Sequence, residues 1–190
     1  MKSNAHITGI ILAGGKSTRM GSDKGFIPLN GKHFIAHIVD ALKPQVSEIL
    51  IVSNNNAYDH LGHTRIEDLI KDAGPLAGLY SGLNASKTIN NIVLSCDIPL
   101  INPQVLALLT KSVPTNTDVV MVESNGQTMP LVAMYKTHCK QHFYKLLQAG
   151  ERSLHRAIAP LNVKTIQLEP GFAHYVKNIN TPGELKELQR

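Results

Sequence analysis

The 190-residue chain has no tryptophan, and four phenylalanines and five tyrosines bring its aromatics to only 5%. These rings lie mostly inside apolar segments, whereas a surface that stacks single-stranded bases needs exposed aromatics along a basic track. Lysine and arginine are in excess, for a formal charge of +5, but they are scattered and form no stripe. Nucleic acid is therefore not an expected partner, and the modest excess suits a small phosphorylated ligand. Only two cysteines occur, Cys96 and Cys139, far apart and outside any CxxC pattern. No disulfide framework is expected, in keeping with a reducing compartment. No apolar run approaches the ~18 residues of a membrane span. The opening stretch "MKSNAHITGIILAGG" is too soon interrupted to serve as a signal peptide. The expected location is the cytoplasm, with no membrane partner.

What is present alternates between strand and helix. Continuous apolar runs of the kind buried in parallel sheets fall at 6–12, 48–53 and 91–97. Helical periodicity marks 33–44 and 74–86, the second with Pro75 in its first turn, and another helix starts at Pro103. The pattern then changes. Two strands at 117–124 and 128–136 meet at Asn125-Gly126, a hairpin signal. Helices at 138–150 and 153–159, strands near 164–168 and 175–179, and a helix from Pro182 complete the count. There is no internal repeat and no linker. These elements predict an α/β fold, a single Rossmann-like three-layer domain over 1–190 with a mostly parallel, mixed sheet.

The stretch "LAGGKSTRMGSDKG" (12–25) directly follows the first strand. It contains Gly15-Lys16-Ser17, the tail of a Walker loop, but the first glycine of that motif would have to occupy position 10, which is Ile10. Register and strand context both fail, so a P-loop switch protein is disfavoured. What remains are glycines whose backbone N–H groups can approach an anion, with Arg19 as a planar fork for phosphate oxygens and Lys24 as a flexible charge. Their position at the carboxyl end of a first strand is where open α/β sheets bind ligands. Asp97, just past another strand, is either a magnesium-binding carboxylate at that edge or a turn residue before Ile98-Pro99.

The same stretch resembles the L-A-G-G-x-(S/A)-x-R-M-G-x-x-K signature of nucleotidyltransferases, and most closely that of the molybdenum cofactor guanylyltransferases. Matches continue in order through "RIEDLI" (65–70), "GPLAGLYSGL" (74–83), "VLSCDIPL" (93–100), "LQAGERS" (147–153) and "NINTPGEL" (178–185). Gly21-Ser22-Asp23 is shorter than in some members, with Lys24 still the evident counterpart. The resemblance implies transfer of GMP from GTP to the terminal phosphate of molybdopterin, with release of pyrophosphate. Such chemistry needs alignment and charge neutralisation rather than a protein nucleophile. It implies Arg19, Lys24 and Asp97 as catalytic residues, with Asp97 holding Mg²⁺. Leu12, Ala13, Gly14, Gly15, Lys24, Ser53, Asn54, Asp68, Gly74, Gly78 and Asp97 are implied to line the nucleotide site. Residues 1–100 become a nucleotide-binding half and 101–190 an acceptor-binding half. Transient contacts with other molybdenum-cofactor synthesis and insertion proteins are also implied. The neighbouring readings are a CTP-dependent molybdopterin cytidylyltransferase, another small-acceptor nucleotidyltransferase, and a non-catalytic GTP-binding protein.

Other features carry less. Glu67 and Asp68 can equally be solvated loop carboxylates, and Asn180-Thr181-Pro182 reads as a helix start, in a segment that the resemblance implies lies near the acceptor site. His33/His37 and His138/His142 have i, i+4 spacing but lack the glutamate of an HExxH motif, so surface histidines are the better reading. Cys96 reads as a small core residue. Arg152 is one exposed arginine among many.

Overall fold

The computed structural model describes residues 6–14, 23–111 and 114–188. β1 (Ile7–Leu12) opens the chain, and a short hairpin of β2 (Pro28–Leu29) and β3 (Lys32–His33) leads into α1 (Phe34–Leu42). There follow β4 (Glu48–Val52), β5 (Thr64–Ile66), α2 (Gly74–Ala85), β6 (Asn90–Ser95) and α3 (Pro103–Lys111). The second half runs β7 (Val119–Ser124), β8 (Gln127–Lys136), α4 (Cys139–Gln148), α5 (Leu154–Ile158), β9 (Val163–Gln167) and α6 (Pro182–Leu188).

Seven strands form one sheet in the order β5-β4-β1-β6-β8-β7-β9. All run parallel except β8, which is antiparallel to both of its neighbours. The strands are apolar on both faces because both faces are covered. Along β1, Ile11 points to one core, with Ile35, Ile38 and Leu42 of α1 and Val105 and Leu106 of α3. Ile10 and Leu12 point to the other, with Leu76, Leu79 and Leu83 of α2, Phe143 of α4 and Ala157 of α5. A three-layer α/β/α sandwich results, as the alternation of elements predicted.

From β1 the chain crosses one face through α1 to β4. It returns over the other face through α2 to β6, on the far side of β1. The strand order therefore reverses at β1, and the carboxyl ends of β1 and β6 border the crevice that such a reversal opens.

Two local features differ from expectation and a third agrees with it. The segment 175–179 is not a strand: Pro170–Val176 forms 3-10 turns, begun by Pro170 and packed through Phe172 and Tyr175. β5 and the β2–β3 hairpin carry no apolar run long enough to announce them. The expected turn at Asn125-Gly126 is present with φ of 52° and 76°, the left-handed pair that a two-residue hairpin requires.

Candidate active site

The carboxyl edge of the sheet brings together segments far apart in sequence. Leu12 O accepts from Cys96 N at 3.0 Å and Ala13 N donates to Val52 O at 2.9 Å, extending the β1, β4 and β6 ladders beyond the strands. These bonds fix the points from which Gly14, Ser53 and Asp97 emerge. Leu12 and Ala13 are themselves buried beneath the edge.

One cluster centres on Asp97, whose residue is only 9% exposed. Lys24 Nζ lies 3.1 Å from Asp97 Oδ2 and 2.5 Å from Asn180 Oδ1. The Asp97 carbonyl accepts from Ile179 N at 2.8 Å, so the segment leading to α6 is pinned against the same residue. Asp97 Oδ1 is buried and has no hydrogen-bond partner among the described residues. A buried carboxylate oxygen left unpaired is costly unless something binds it. It is a hard oxygen donor, the kind that Mg²⁺ takes from one carboxylate while keeping phosphate and water ligands.

Lys24 is aimed from below by a second layer. Asp23 Oδ1 accepts from Gly25 N at 3.1 Å and from Tyr58 Oη at 2.5 Å, and its Oδ2 accepts from Asn55 Nδ2 at 2.9 Å. Tyr58 is fully buried, and burial followed by the Asp23 bond drives its phenol well above the usual range, so it remains a donor. Gly25 is required here because a Cβ would overlap the Tyr58 hydroxyl.

A second cluster surrounds Asp68, beyond β5. Its Oδ2 accepts from Asn54 Nδ2 at 3.1 Å, and its backbone N donates to Asn54 Oδ1 at 3.0 Å. A Cβ at Gly14 would stand 3.8 Å from Asp68 Oδ2, and one at Gly78 would stand 3.5 Å from Oδ1 and from Leu12 Cδ2. The two glycines thus set no side chain against either oxygen. Burial raises the Asp68 carboxyl above its ordinary range, partly offset by the Asn54 bond. Gly74 opens α2 at φ +69°, with open space where a side chain would go.

Ser53 behaves differently from Asn54. It is buried, donates to Ala13 O at 3.0 Å and accepts from Asn55 N at 3.1 Å, so its hydroxyl braces the edge instead of facing the cleft. Arg65 supports the same loop, binding Ser53 O at 3.0 Å and Asp59 Oδ1 at 2.6 Å. Gly15 and Arg19 lie outside the described residues.

Sequence reading missed Asn180, Asp23, Asn55 and Tyr58. Asn180 was readable only as part of a helix start, and that part is present. Glu184 Oε2 accepts from Asn180 N at 2.7 Å and Thr181 N at 2.9 Å, and Glu184 N donates to Thr181 Oγ1 at 3.3 Å, a reciprocal capping box. The asparagine side chain, left over from the cap, reaches Lys24. Beside it a cavity of about 530 Å³ is lined by Ser124, Gln127, Met129, His174 and Lys177.

Burial pushes the Cys96 thiol up to about 12, leaving it inert. His37 Nε2 is spent on Leu29 O at 2.8 Å and His142 Nε2 on Ala157 O at 2.9 Å. No helix among the described residues is long and apolar enough to cross a membrane.

Residues 9–164 match the family described as the MobA-like NTP transferase domain. A Flavobacterium johnsoniae protein named "probable molybdenum cofactor guanylyltransferase" is 34% identical over 182 residues, covering 96% of each chain. The molybdenum cofactor guanylyltransferase of Yersinia pseudotuberculosis is 34% identical over 183 residues, covering 94% of this chain and 93% of its own. The structure of molybdopterin-guanine dinucleotide biosynthesis protein A from Archaeoglobus fulgidus superposes with a TM-score of 0.80 at 23% identity, over 96% of both chains. That last likeness is one of fold.

Proposed function

The chain belongs to the MobA-like NTP transferase family, and on that premise we propose that it is a molybdenum cofactor guanylyltransferase. It takes GTP and molybdopterin as substrates. A terminal phosphate oxygen of molybdopterin attacks the α-phosphorus of GTP; one P–O bond forms, the α–β bridging P–O bond breaks, and pyrophosphate leaves.

The observation that carries this reading is Asp97 Oδ1, a buried carboxylate oxygen with no hydrogen-bond partner among the described residues, beside the Lys24 ammonium at the reversal point of the sheet. Mg²⁺ is the ion we assign to Asp97; when bound it supplies charge neutralisation between the triphosphate oxygens. Lys24 holds its ammonium where it can donate to phosphate oxygens, with Asp97 and Asn180 fixing its position. Gly14 and Gly15 are the glycines we assign to offering backbone N–H groups to the same phosphates, and Arg19 to giving a bidentate fork. Removing one such preorganised donor typically costs about 10²–10³-fold in rate.

The base belongs at Asp68. Its carboxylate offers two acceptors, matching the adjacent N–H donors on the Watson–Crick edge of guanine, whereas cytosine presents one exocyclic amine. Asn54 orients that carboxylate, and Gly14, Gly78 and Leu12 give the ring room. Gly74 lies at the start of the helix that carries Gly78 across this pocket. Residues 1–100 act as the nucleotide half. Residues 101–190 supply Asn180 and the cavity beside it, which we assign to the acceptor. The reading includes action in the cytoplasm, and transient handover of product to other proteins of molybdenum-cofactor synthesis and insertion.

Purified protein given Mg²⁺, molybdopterin and each of GTP and CTP tests it. Pyrophosphate release from GTP in clear excess over CTP is expected. Equal or greater release from CTP assigns the chain to the cytidylyltransferase reading, and GTP binding without release assigns it to a non-catalytic role.

A further inference from the structure

The opposite edge of the sheet, where β7 begins and β8 ends, gathers a second set of reactive side chains. Asp118 precedes β7, and Val119 pairs with Tyr135 of the antiparallel β8. Two residues beyond β8, His138 and Cys139 start α4. Sheet register and a helix start therefore fix all three positions on rigid elements. Asp118 O accepts from Lys136 N at 2.9 Å, locking the backbone.

The donor atoms of Asp118, His138 and Cys139 lie within 4.8 Å of one another. Asp118 Oδ1 is 2.8 Å from His138 Nε2, and Asp118 Oδ2 accepts from Asn162 N at 2.9 Å. Cys139 Sγ points at the Asp118 carbonyl, 3.7 Å away. Burial is graded across the set: Cys139 is 1% exposed, the Asp118 side chain 20% and the His138 side chain 64%. His142, one turn along α4, is committed to Ala157 O and stays outside the set.

A histidine on an aspartate is an ordinary surface pair, but a thiol beneath it makes the set chemically mixed. Carboxylate oxygen, imidazole nitrogen and thiolate sulfur together are too soft for Mg²⁺ or Ca²⁺ and match zinc-class ions. Zinc–ligand bonds of about 2.0–2.3 Å imply donor separations of roughly 3.3–3.6 Å around a tetrahedron. Asp118 and His138 would need to part by under an ångström, and the exposed imidazole can swing that far. The solvent side leaves a fourth position for water. Burial holds the Cys139 thiol protonated, its pKa pushed up to about 12. Coordination would release that proton to solvent.

We propose that Asp118, His138 and Cys139 bind one zinc-class divalent ion at the edge of the sheet opposite the candidate active site. The ion would tie the start of β7 to the start of α4 and, through Asp118 Oδ2, to the turn before β9. The proposal is independent of the reading of the nucleotide site.

Titration of the intact chain with Co²⁺ alone, under reducing conditions, tests it. One equivalent should produce thiolate-to-cobalt charge-transfer absorption together with the visible bands of a tetrahedral ion, and Zn²⁺ should displace it. The absorption should vanish in Cys139→Ser and persist in Cys96→Ser. In His138→Ala, which changes an exposed side chain, the ion should bind more than about tenfold less tightly. The proposal is overturned if the native chain gives no thiolate band, if the band survives Cys139→Ser, or if only Cys96→Ser removes it.

Discussion

Asp97 and Asp68 stand on the same edge of one sheet, past β6 and β5, and their surroundings are opposite in kind. Asp97 is nearly enclosed, faces an ammonium, and has one oxygen with no hydrogen-bond partner among the described residues. Asp68 is half-buried and has no cation among its hydrogen-bond partners in the described residues; it is met by the Asn54 amide, and Gly14 and Gly78 set no side chain against it. A carboxylate beside a fixed cation can hold a hard ion against phosphates. One beside an amide can accept hydrogen bonds from a base. In the proposed reading, what surrounds each acid, rather than the acid itself, divides charge handling from base recognition.

The sharpest way to break that division is Asp97→Asn. It removes the unpartnered anionic oxygen but keeps shape, and pyrophosphate release should fall by about 10³-fold or more while circular dichroism still reports a folded chain. Retained turnover would remove Asp97 from ion binding.

Asp68→Asn should leave turnover of saturating GTP within a few-fold and instead collapse the preference for GTP over CTP by about 10–100-fold. That is the size of a lost bidentate contact worth 1–3 kcal/mol. The pH dependence of the native enzyme sharpens the same point. Burial lifts the Asp68 carboxyl above a free aspartate, so on acidification it protonates before a free aspartate would, and KM for GTP should begin to climb there. The sign for folding is the reverse. The native fold binds this proton more tightly than the unfolded chain does, so the contribution of Asp68 to stability improves as pH falls through the raised value. Asp68→Asn should therefore melt no lower than the native protein at neutral pH, and a clear loss of stability would show that Asp68 is structural.

Gly78→Val tests the clearance around the base. A side chain there stands at van der Waals distance from Asp68 Oδ1 and Leu12 before its methyls are added, so KM for GTP should rise about tenfold with kcat little changed. The smallest effect on catalysis belongs to Ser53→Ala. It leaves the Ala13 carbonyl and Asn55 amide unmatched and should cost about 1–3 kcal/mol of stability in a denaturant melt. The ratio of GTP to CTP turnover should hold, since the hydroxyl faces inward.

Legibility follows the range of the interaction. The buried strands around 7–12, 48–52 and 90–95 were readable because apolar runs of five or six residues have few other uses. Asn125-Gly126 was readable because left-handed backbone favours those residues. β2, β3 and β5 are two or three residues long and held by their neighbours, so no local pattern marks them. The apolar residues at 175–179 were mistaken for a strand because their partners lie in the core beneath a 3-10 turn. Asp68, Asn54, Gly14 and Gly78 are named by the resemblance, and in the structure they are neighbours. Asn180, Asp23, Asn55 and Tyr58 were not, because their roles arise from bonds across 156, 32 and 35 positions that no spacing rule encodes.

The bond from Lys24 to Asn180 has a consequence for how the protein comes into being. Synthesis delivers the first six strands of the sheet's seven well before residue 180 leaves the ribosome, and with them the glycine turn, Lys24 and Asp97. A nascent chain at that stage holds Lys24 and Asp97 while lacking Asn180, so the full set of described partners of that ammonium is completed only when translation is nearly finished.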